Sequence, residues 1–200
     1  MRRRAITIAL LLLISTSGEA QQKDATVERA RRYEPLIVAA AINHRVDPRL
    51  LWTIAWLETR FQPHLTSTAG ARGLMQLMPY TARWIGRVTP EARKHVGRYR
   101  APESNVWLGS WYVKNLLERY DGNVVEAIGA YNAGPGAMDR WVREHPTLEA
   151  DEIAERTPYL ETRRYIRRAL TSYLMYRKLY GAGEMSLVTS LTKYAQRVGG

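Results

Sequence analysis

Apolar residues recur at helical spacing along most of the chain, and helix-starting and helix-ending residues separate the segments. Asp47 and Pro48 form an N-cap residue followed by proline at the first helical position, and apolar spacing continues from there to Leu57. Other segments with this character start at Pro35, after Pro79, at Asn105, at Val124 and at Leu160. No run of alternating β-branched residues indicates a strand. We therefore expect an all-α protein with a single domain.

The ends of these segments are marked by small residues, glycine and proline. Residues 66–73 are rich in small residues and glycine, which indicates a loop, and we expect a short helix at about Leu74–Met78. The run Ala133–Gly136 ends the helix that begins at Val124. The longest helical pattern extends to Tyr180, after which the periodicity weakens. The predicted domain therefore spans residues 35–180, and residues 181–200 are a tail.

Residues 1–20 have the pattern of a secretory signal peptide rather than of a folded element. Three arginines precede an apolar run from Ala5 to Ser15, and small or polar residues follow up to Ala20. The apolar run is shorter than the roughly 17–25 residues that span a bilayer. We expect cleavage, export to the periplasm and no stable membrane anchor; an uncleaved anchor is the alternative. Residues 21–34 are then an N-terminal linker or the start of the first helix.

Composition narrows the possible partners. A hydrophobic fraction of 46% supports a core and excludes global disorder. The net charge of +11, which becomes +9 once three arginines and one glutamate leave with residues 1–20, indicates an anionic partner. Export argues against nucleic acid as that partner. With no cysteine and with four histidines scattered along the chain, we expect no disulfide, no metal site and no cofactor.

Glu58 is the single acidic residue between Asp47 and Glu91. It follows Ile54 by four residues and Leu51 by seven, so it lies on the apolar face of its helix. Partial burial and the helix C-terminus both disfavour the carboxylate, which predicts a raised pKa and suits general-acid chemistry. The alternative is an ordinary ion pair with a nearby arginine.

Two glycine-containing stretches carry further candidate residues. In residues 70–79, glycines permit close approach of the backbone to a ligand, and Gln76 offers both a donor and an acceptor. At least one of the two methionines in this stretch is equally well explained as a core residue. Tyr131 and Asn132 lie where the next helix ends at Gly134. The chain has six tryptophans and twelve tyrosines, side chains suited to binding partly polar ligands such as sugars.

Four segments in order make the chain resemble a known family. They are Glu58–Thr59 with Phe61 and Pro63, residues 70–82, residues 130–136, and Glu161–Arg163 with Tyr165. Residues 35–180 resemble the catalytic domain of the soluble lytic transglycosylases, a family with a lysozyme-like fold that acts on peptidoglycan. The resemblance implies a lysozyme-like domain at residues 35–180.

The resemblance also implies roles for particular residues. Glu58 matches the catalytic acid and base. The residues that match substrate-binding positions are Ser67, Met75, Gln76, Tyr131, Asn132 and Glu161. One position departs from the family, because Thr59 follows the glutamate where serine is usual, and this leaves open how its hydroxyl orients Glu58.

The reaction implied by the resemblance is cleavage of the β-1,4 bond between N-acetylmuramic acid and N-acetylglucosamine, with formation of 1,6-anhydromuramoyl ends. The partner would be the glycan strand of peptidoglycan, with a secretion or conjugation apparatus of the cell envelope as a possible second partner. A muramidase on the same fold, a non-catalytic peptidoglycan-binding protein and a basic nucleic-acid binder are the alternatives.

Overall fold

The computed structural model describes residues 25, 26 and 28–180 of the chain, with side chains to residue 174. The expected signal peptide and C-terminal tail lie outside these residues. Residues 28–44 form helix α1. The helices that follow are α2 (Pro48–Thr59), α3 (Pro79–Val88), α4 (Arg93–Val96), α5 (Pro102–Arg119), α6 (Val124–Ala133), α7 (Pro135–Glu144), α8 (Ala150–Arg156) and α9 (Leu160–Tyr180). A 3-10 turn at Pro90–Ala92 precedes α4.

The all-α prediction is confirmed. In the described part of the chain, β structure is limited to two isolated bridges, Thr66 with Arg72 and Arg72 with Leu77. None of the helices that the structure describes combines the length and the apolar character needed to cross a membrane.

Helix α1 begins before the position that the sequence predicts. Residues 25, 26 and 28–34 are already helical, so Pro35 lies inside α1 rather than at its start. The buried residues Ala30, Tyr33, Ile37 and Ala41 form one face that continues past the proline. Packing of this face onto the core outweighs the local cost of proline within a helix.

Helix α2 has the start that the sequence predicts. The side chain of Asp47 accepts a hydrogen bond from the backbone N–H of Arg49, and Pro48 occupies the first helical position. The helix ends at Arg60, which has the left-handed conformation with φ of 49°. Its residues 50–55 are buried in the main core. Helix α9 packs on both α2 and α6 around that core.

Two local predictions are wrong. The predicted helix at Leu74–Met78 does not form: residues 73–76 form a turn between the bridged residues Arg72 and Leu77, and Gln76 has a φ of 45°. Asn105 does not cap α5, which begins at Pro102. It is buried inside that helix, where its side chain binds the neighbouring loop. In both cases a long-range hydrogen bond replaces the local one that the sequence pattern indicates.

Candidate active site

Glu58 lies half-buried in the last turn of α2, where α9 packs against that helix. The phenol of Tyr165, from α9, donates a hydrogen bond of 2.7 Å to Oε1 of Glu58. No ion pair to Glu58 forms among the residues that the structure describes, so the alternative of an arginine partner is not realised. Arg60 instead stacks its guanidinium over the ring of Trp56, at 5.0 Å from the ring centroid.

Burial raises the pKa of the Glu58 carboxyl to about 7. The Tyr165 hydrogen bond favours the carboxylate and opposes this rise. The negative charge of Glu161 adds to the rise, and the positive charge of Arg168 opposes it. At neutral pH both the acid and the carboxylate are therefore populated, which a residue that first gives and later takes a proton requires.

Tyr131 joins the end of α6 to the loop before α3. Its hydroxyl donates a 2.6 Å hydrogen bond to the backbone carbonyl of Met75. Burial, with the charge of Glu58 as the next cause, raises the pKa of Tyr131 well above its usual value, as it does for Tyr165. Both phenols therefore stay neutral and act as hydrogen-bond donors beside Glu58.

Asn132 is held in one orientation by a buried neighbour. The hydroxyl of Thr162 donates to Oδ1 of Asn132 at 2.8 Å. Because Oδ1 is occupied as an acceptor, the amide group of Asn132 has its two N–H donors available for a ligand. Thr162 lies one residue after Glu161, in the first turns of α9.

The loop between α2 and α3 is held together by its own polar side chains. The hydroxyl of Ser67, an exposed residue, accepts a hydrogen bond from the backbone N–H of Ala71 at 3.0 Å. Nε2 of Gln76 donates to the carbonyls of Leu65 and Gly73 at 3.1 and 3.0 Å. In this structure both side chains stabilise the loop beside the site.

Met75 departs from the expectation of a substrate-binding side chain. It is fully buried, and it packs so closely on α5 that a Cβ added at Gly109 would lie 2.5 Å from its sulfur. Its backbone N–H donates to Oδ1 of Asn105 at 2.7 Å. Of the two methionines in this loop, Met75 is the core residue and Met78 is half-buried. The apolar spacing alone does not distinguish them.

Glu161 is exposed in the first turn of α9, on the side where its charge acts on Glu58. The structure therefore brings Glu58, Tyr131 and Glu161 into one region, with Asn132 beside Tyr131. The predicted residues Ser67 and Gln76 lie on the neighbouring loop.

Thr59 does not contact the carboxylate of Glu58. Its buried hydroxyl donates to the carbonyls of Ala55 and Leu74, at 3.2 and 3.0 Å. The hydroxyl therefore ties the end of α2 to the loop. A serine in its place would keep the same O–H donor, which explains why either residue suits this position.

Three contributions to the site escape the sequence analysis, namely the bond of Tyr165 to Glu58, the support of Asn132 by Thr162, and the anchoring of the loop by Asn105. Tyr165 and Glu58 are 107 positions apart, and only the packing of α9 on α2 joins them. Among the described residues, no group of three or more histidine, aspartate and glutamate side chains has a metal-holding arrangement.

Three comparisons with known proteins agree with this geometry. A family model described as the transglycosylase SLT domain matches residues 35–154. The soluble lytic murein transglycosylase of Escherichia coli K12 is 31% identical over 167 residues, which cover 82% of this chain and 26% of that protein. The Salmonella typhimurium LT2 protein of the same name is 34% identical over 155 residues, covering 76% and 24%. The chain thus spans about a quarter of the length of these relatives.

Solved structures show the same fold. An inactive mutant of the lytic transglycosylase Slt from Pseudomonas aeruginosa has a TM-score of 0.67 at 31% identity, covering 72% of this chain and 24% of that one. The 70 kDa soluble lytic transglycosylase in complex with bulgecin A has a TM-score of 0.69 at 28% identity, covering 78% and 26%. The described chain therefore has the all-α, lysozyme-like fold of these enzymes.

Proposed function

The chain belongs to the transglycosylase SLT family, and on this premise we propose that it cleaves the glycan strands of peptidoglycan as a lytic transglycosylase. The bond broken is the β-1,4 bond between N-acetylmuramic acid and N-acetylglucosamine. The observation that carries this proposal is the half-buried carboxyl of Glu58, which has a pKa of about 7 and a hydrogen bond from Tyr165.

In the first step, the carboxylic acid of Glu58 gives its proton to the glycosidic oxygen, and the bond from that oxygen to C1 of the muramoyl residue breaks. The positive charge that develops at C1 is stabilised by the substrate's own N-acetyl group. In this proposal the N–H donors of Asn132, whose Oδ1 is occupied by Thr162, bind the oxygen of an acetamido group. A single carboxyl therefore supplies the acid in this step.

In the second step, the Glu58 carboxylate takes the proton of the muramoyl 6-hydroxyl, whose oxygen bonds to C1. This closes the 1,6-anhydro ring, returns Glu58 to its protonated form and consumes no water. The hydrogen bond from Tyr165 stabilises Glu58 while it is a carboxylate between the two steps. An intramolecular hydroxyl is favoured over water because little orientation entropy remains to be lost.

The other predicted residues act as substrate-binding groups in this proposal. The phenol ring of Tyr131 forms a wall beside Glu58, and Glu161 lies at the solvent side of the site. Ser67 and Gln76 keep the loop in the shape that borders the groove, with their remaining polar atoms available to the glycan.

A muramidase reaction is the second candidate, and the exposed carboxylate of Glu161 is the observation that favours it. A second carboxylate facing the acid is the arrangement that activates water in inverting glycosidases. The two reactions give different products, anhydro ends in one case and reducing ends in the other.

The test is mass spectrometry of peptidoglycan digested with the wild-type protein and with Glu58→Gln. We expect 1,6-anhydromuramoyl ends from the wild type and no new ends from the variant. Exclusively reducing ends would replace the transglycosylase by the muramidase, and the absence of any cleavage by the wild type would favour a binding protein.

We further infer from the signal-like residues 1–20 that the protein works in the periplasm, where its substrate lies. Cell fractionation with N-terminal sequencing of the mature chain tests this, and full-length protein in the cytoplasm would contradict it. A secretion or conjugation apparatus as partner is a proposal that co-purification from envelope fractions tests.

A further inference from the structure

Aromatic side chains form a continuous row that leads away from Glu58 across α6, α5 and α3. The ring centroid of Tyr131 lies 5.5 Å from that of Tyr112, and Tyr112 lies 6.3 Å from Trp84. The indole of Trp84 lies 5.5 Å from that of Trp111 in an edge-to-face arrangement. Each ring therefore contacts the next, and the row starts at a residue of the proposed active site.

The rings of this row are held in place and keep only part of their surface exposed. Tyr112, Trp84 and Trp111 are half-buried. Their buried sides pack against a small apolar cluster separate from the main core, namely Leu77, Ala82, Ile85, Ala92 and Leu108. Rings fixed in this way lose little entropy when a ligand binds.

Tyr80 extends the row on its outer side. It is 61% exposed at the start of α3, four residues before Trp84, and so lies on the same helix face. Burial, and after it the nearby phenol of Tyr80, raises the pKa of Tyr112 to about 12. Tyr80 therefore lies near Tyr112 and on the helix face of Trp84.

We propose that this aromatic row, Tyr131, Tyr112, Trp84, Trp111 and Tyr80, binds the part of the glycan strand that extends beyond the cleaved bond. The proposal rests on the proposed function and names a binding surface for its substrate. Sugar rings have apolar C–H faces and polar edges, and tyrosine and tryptophan combine the same two properties. The row is continuous with the site at Glu58, so a strand held there can follow it without leaving the protein surface.

A surface of this kind makes affinity depend on chain length. A short oligosaccharide that occupies only the positions next to Glu58 does not reach the outer rings. A longer one gains the contacts with Trp84 and Tyr80. The affinity gained on lengthening the ligand should therefore depend on these two side chains.

The experiment measures binding by calorimetry in Glu58→Gln protein, which prevents cleavage. The ligands are β-1,4-linked N-acetylglucosamine oligosaccharides of three and six residues. We expect Tyr80→Ala and Trp84→Ala each to weaken binding of the hexasaccharide at least about fivefold. Tyr80→Phe keeps the ring, and Ile42→Ala removes a 70% exposed apolar side chain of α1; both should bind as the parent does.

Equal hexasaccharide affinity in Tyr80→Ala and Ile42→Ala would overturn the proposal, since Tyr80 is too exposed for its removal to unfold the protein. The proposal would also be overturned if the alanine variants weakened binding of the trisaccharide as much as binding of the hexasaccharide. Product analysis keeps the two proposals apart: reducing ends from the wild type would end the transglycosylase proposal and leave this binding result standing.

Discussion

Tyr165 and Glu58, 107 positions apart in the sequence, are joined by a hydrogen bond of 2.7 Å from the phenol to Oε1. Burial alone drives the carboxyl toward its neutral form, and this bond works in the opposite direction. The two effects leave the pKa at about 7, where one carboxyl can serve both halves of a proton-transfer cycle. The pairing thus limits the rise in pKa that burial causes.

Replacement of Tyr165 by phenylalanine should move the pH dependence of activity upward. The hydrogen bond lowers the pKa of Glu58, so its removal raises that pKa above about 7. Activity that needs protonated Glu58 falls as pH rises through its pKa, and in the variant this fall should occur at higher pH. A pH–rate profile of sacculus digestion measures it. An unchanged or lowered midpoint would show that the bond does not control the titration.

Glu58→Gln should remove activity and also change how stability depends on pH. The folded-state pKa of about 7 exceeds the unfolded value of 4.5, so the carboxyl costs stability as pH rises from about 4.5 to 7. The shift corresponds to about 3 kcal/mol at most. Glutamine does not ionise, so the variant should gain thermal stability over the wild type at pH 8 but not at pH 4. The same difference in melting temperature between variant and wild type at both pH values would contradict this.

Thr162 should act on catalysis through Asn132 alone. Thr162→Val removes the donor to Oδ1 and frees the amide to rotate, which we expect to lower kcat/KM about tenfold. Thr162→Ser keeps the hydroxyl and should retain most activity. In an Asn132→Ala background the valine change should have little further effect. Additive losses in this double-mutant cycle would assign Thr162 a separate, structural role.

Gly73 and Gly70 form a matched pair for testing the loop. Both have positive φ, 79° and 89°, so alanine at either position costs about 1–2 kcal/mol of backbone strain. At Gly73 an added Cβ would also lie 2.5 Å from Nδ2 of Asn105, whereas at Gly70 nothing lies within 4 Å. Urea unfolding should therefore show Gly73→Ala to be less stable than Gly70→Ala by about 1–3 kcal/mol. Equal losses of unfolding free energy in the two variants would show that the loop accommodates the added Cβ at Gly73 without further destabilisation.

The sequence correctly predicts the helices in which the start residues and the apolar spacing indicate the same position. Asp47 and Pro48 mark α2 correctly, and Val124–Ala133 and Leu160–Tyr180 appear where the apolar spacing places them. It fails where long-range contacts decide the local structure. Pro35 lies inside α1 because the buried face continues through it, and residues 74–78 remain non-helical around Gln76.

The same distinction holds for the site. The sequence singles out Glu58 as a lone acid on an apolar helix face, but its position alone is equally explained by an ion pair, and the family-like segments that follow it favour the catalytic interpretation. The partners that tune and orient the site come from other helices, and no local pattern links Tyr165 or Thr162 to its contact. Met75 shows the reverse error, because a methionine in a motif can face the core as easily as a ligand.

The loop that borders the site is fixed at Met75 from three sides: its N–H by Asn105, its carbonyl by Tyr131, and its side chain by close packing at Gly109. A segment attached in this way does not behave as a lid, because opening it would break contacts with both α5 and α6. This border of the site is therefore formed before any ligand binds. The Met75 amide should accordingly exchange its hydrogen with solvent only when the whole domain unfolds.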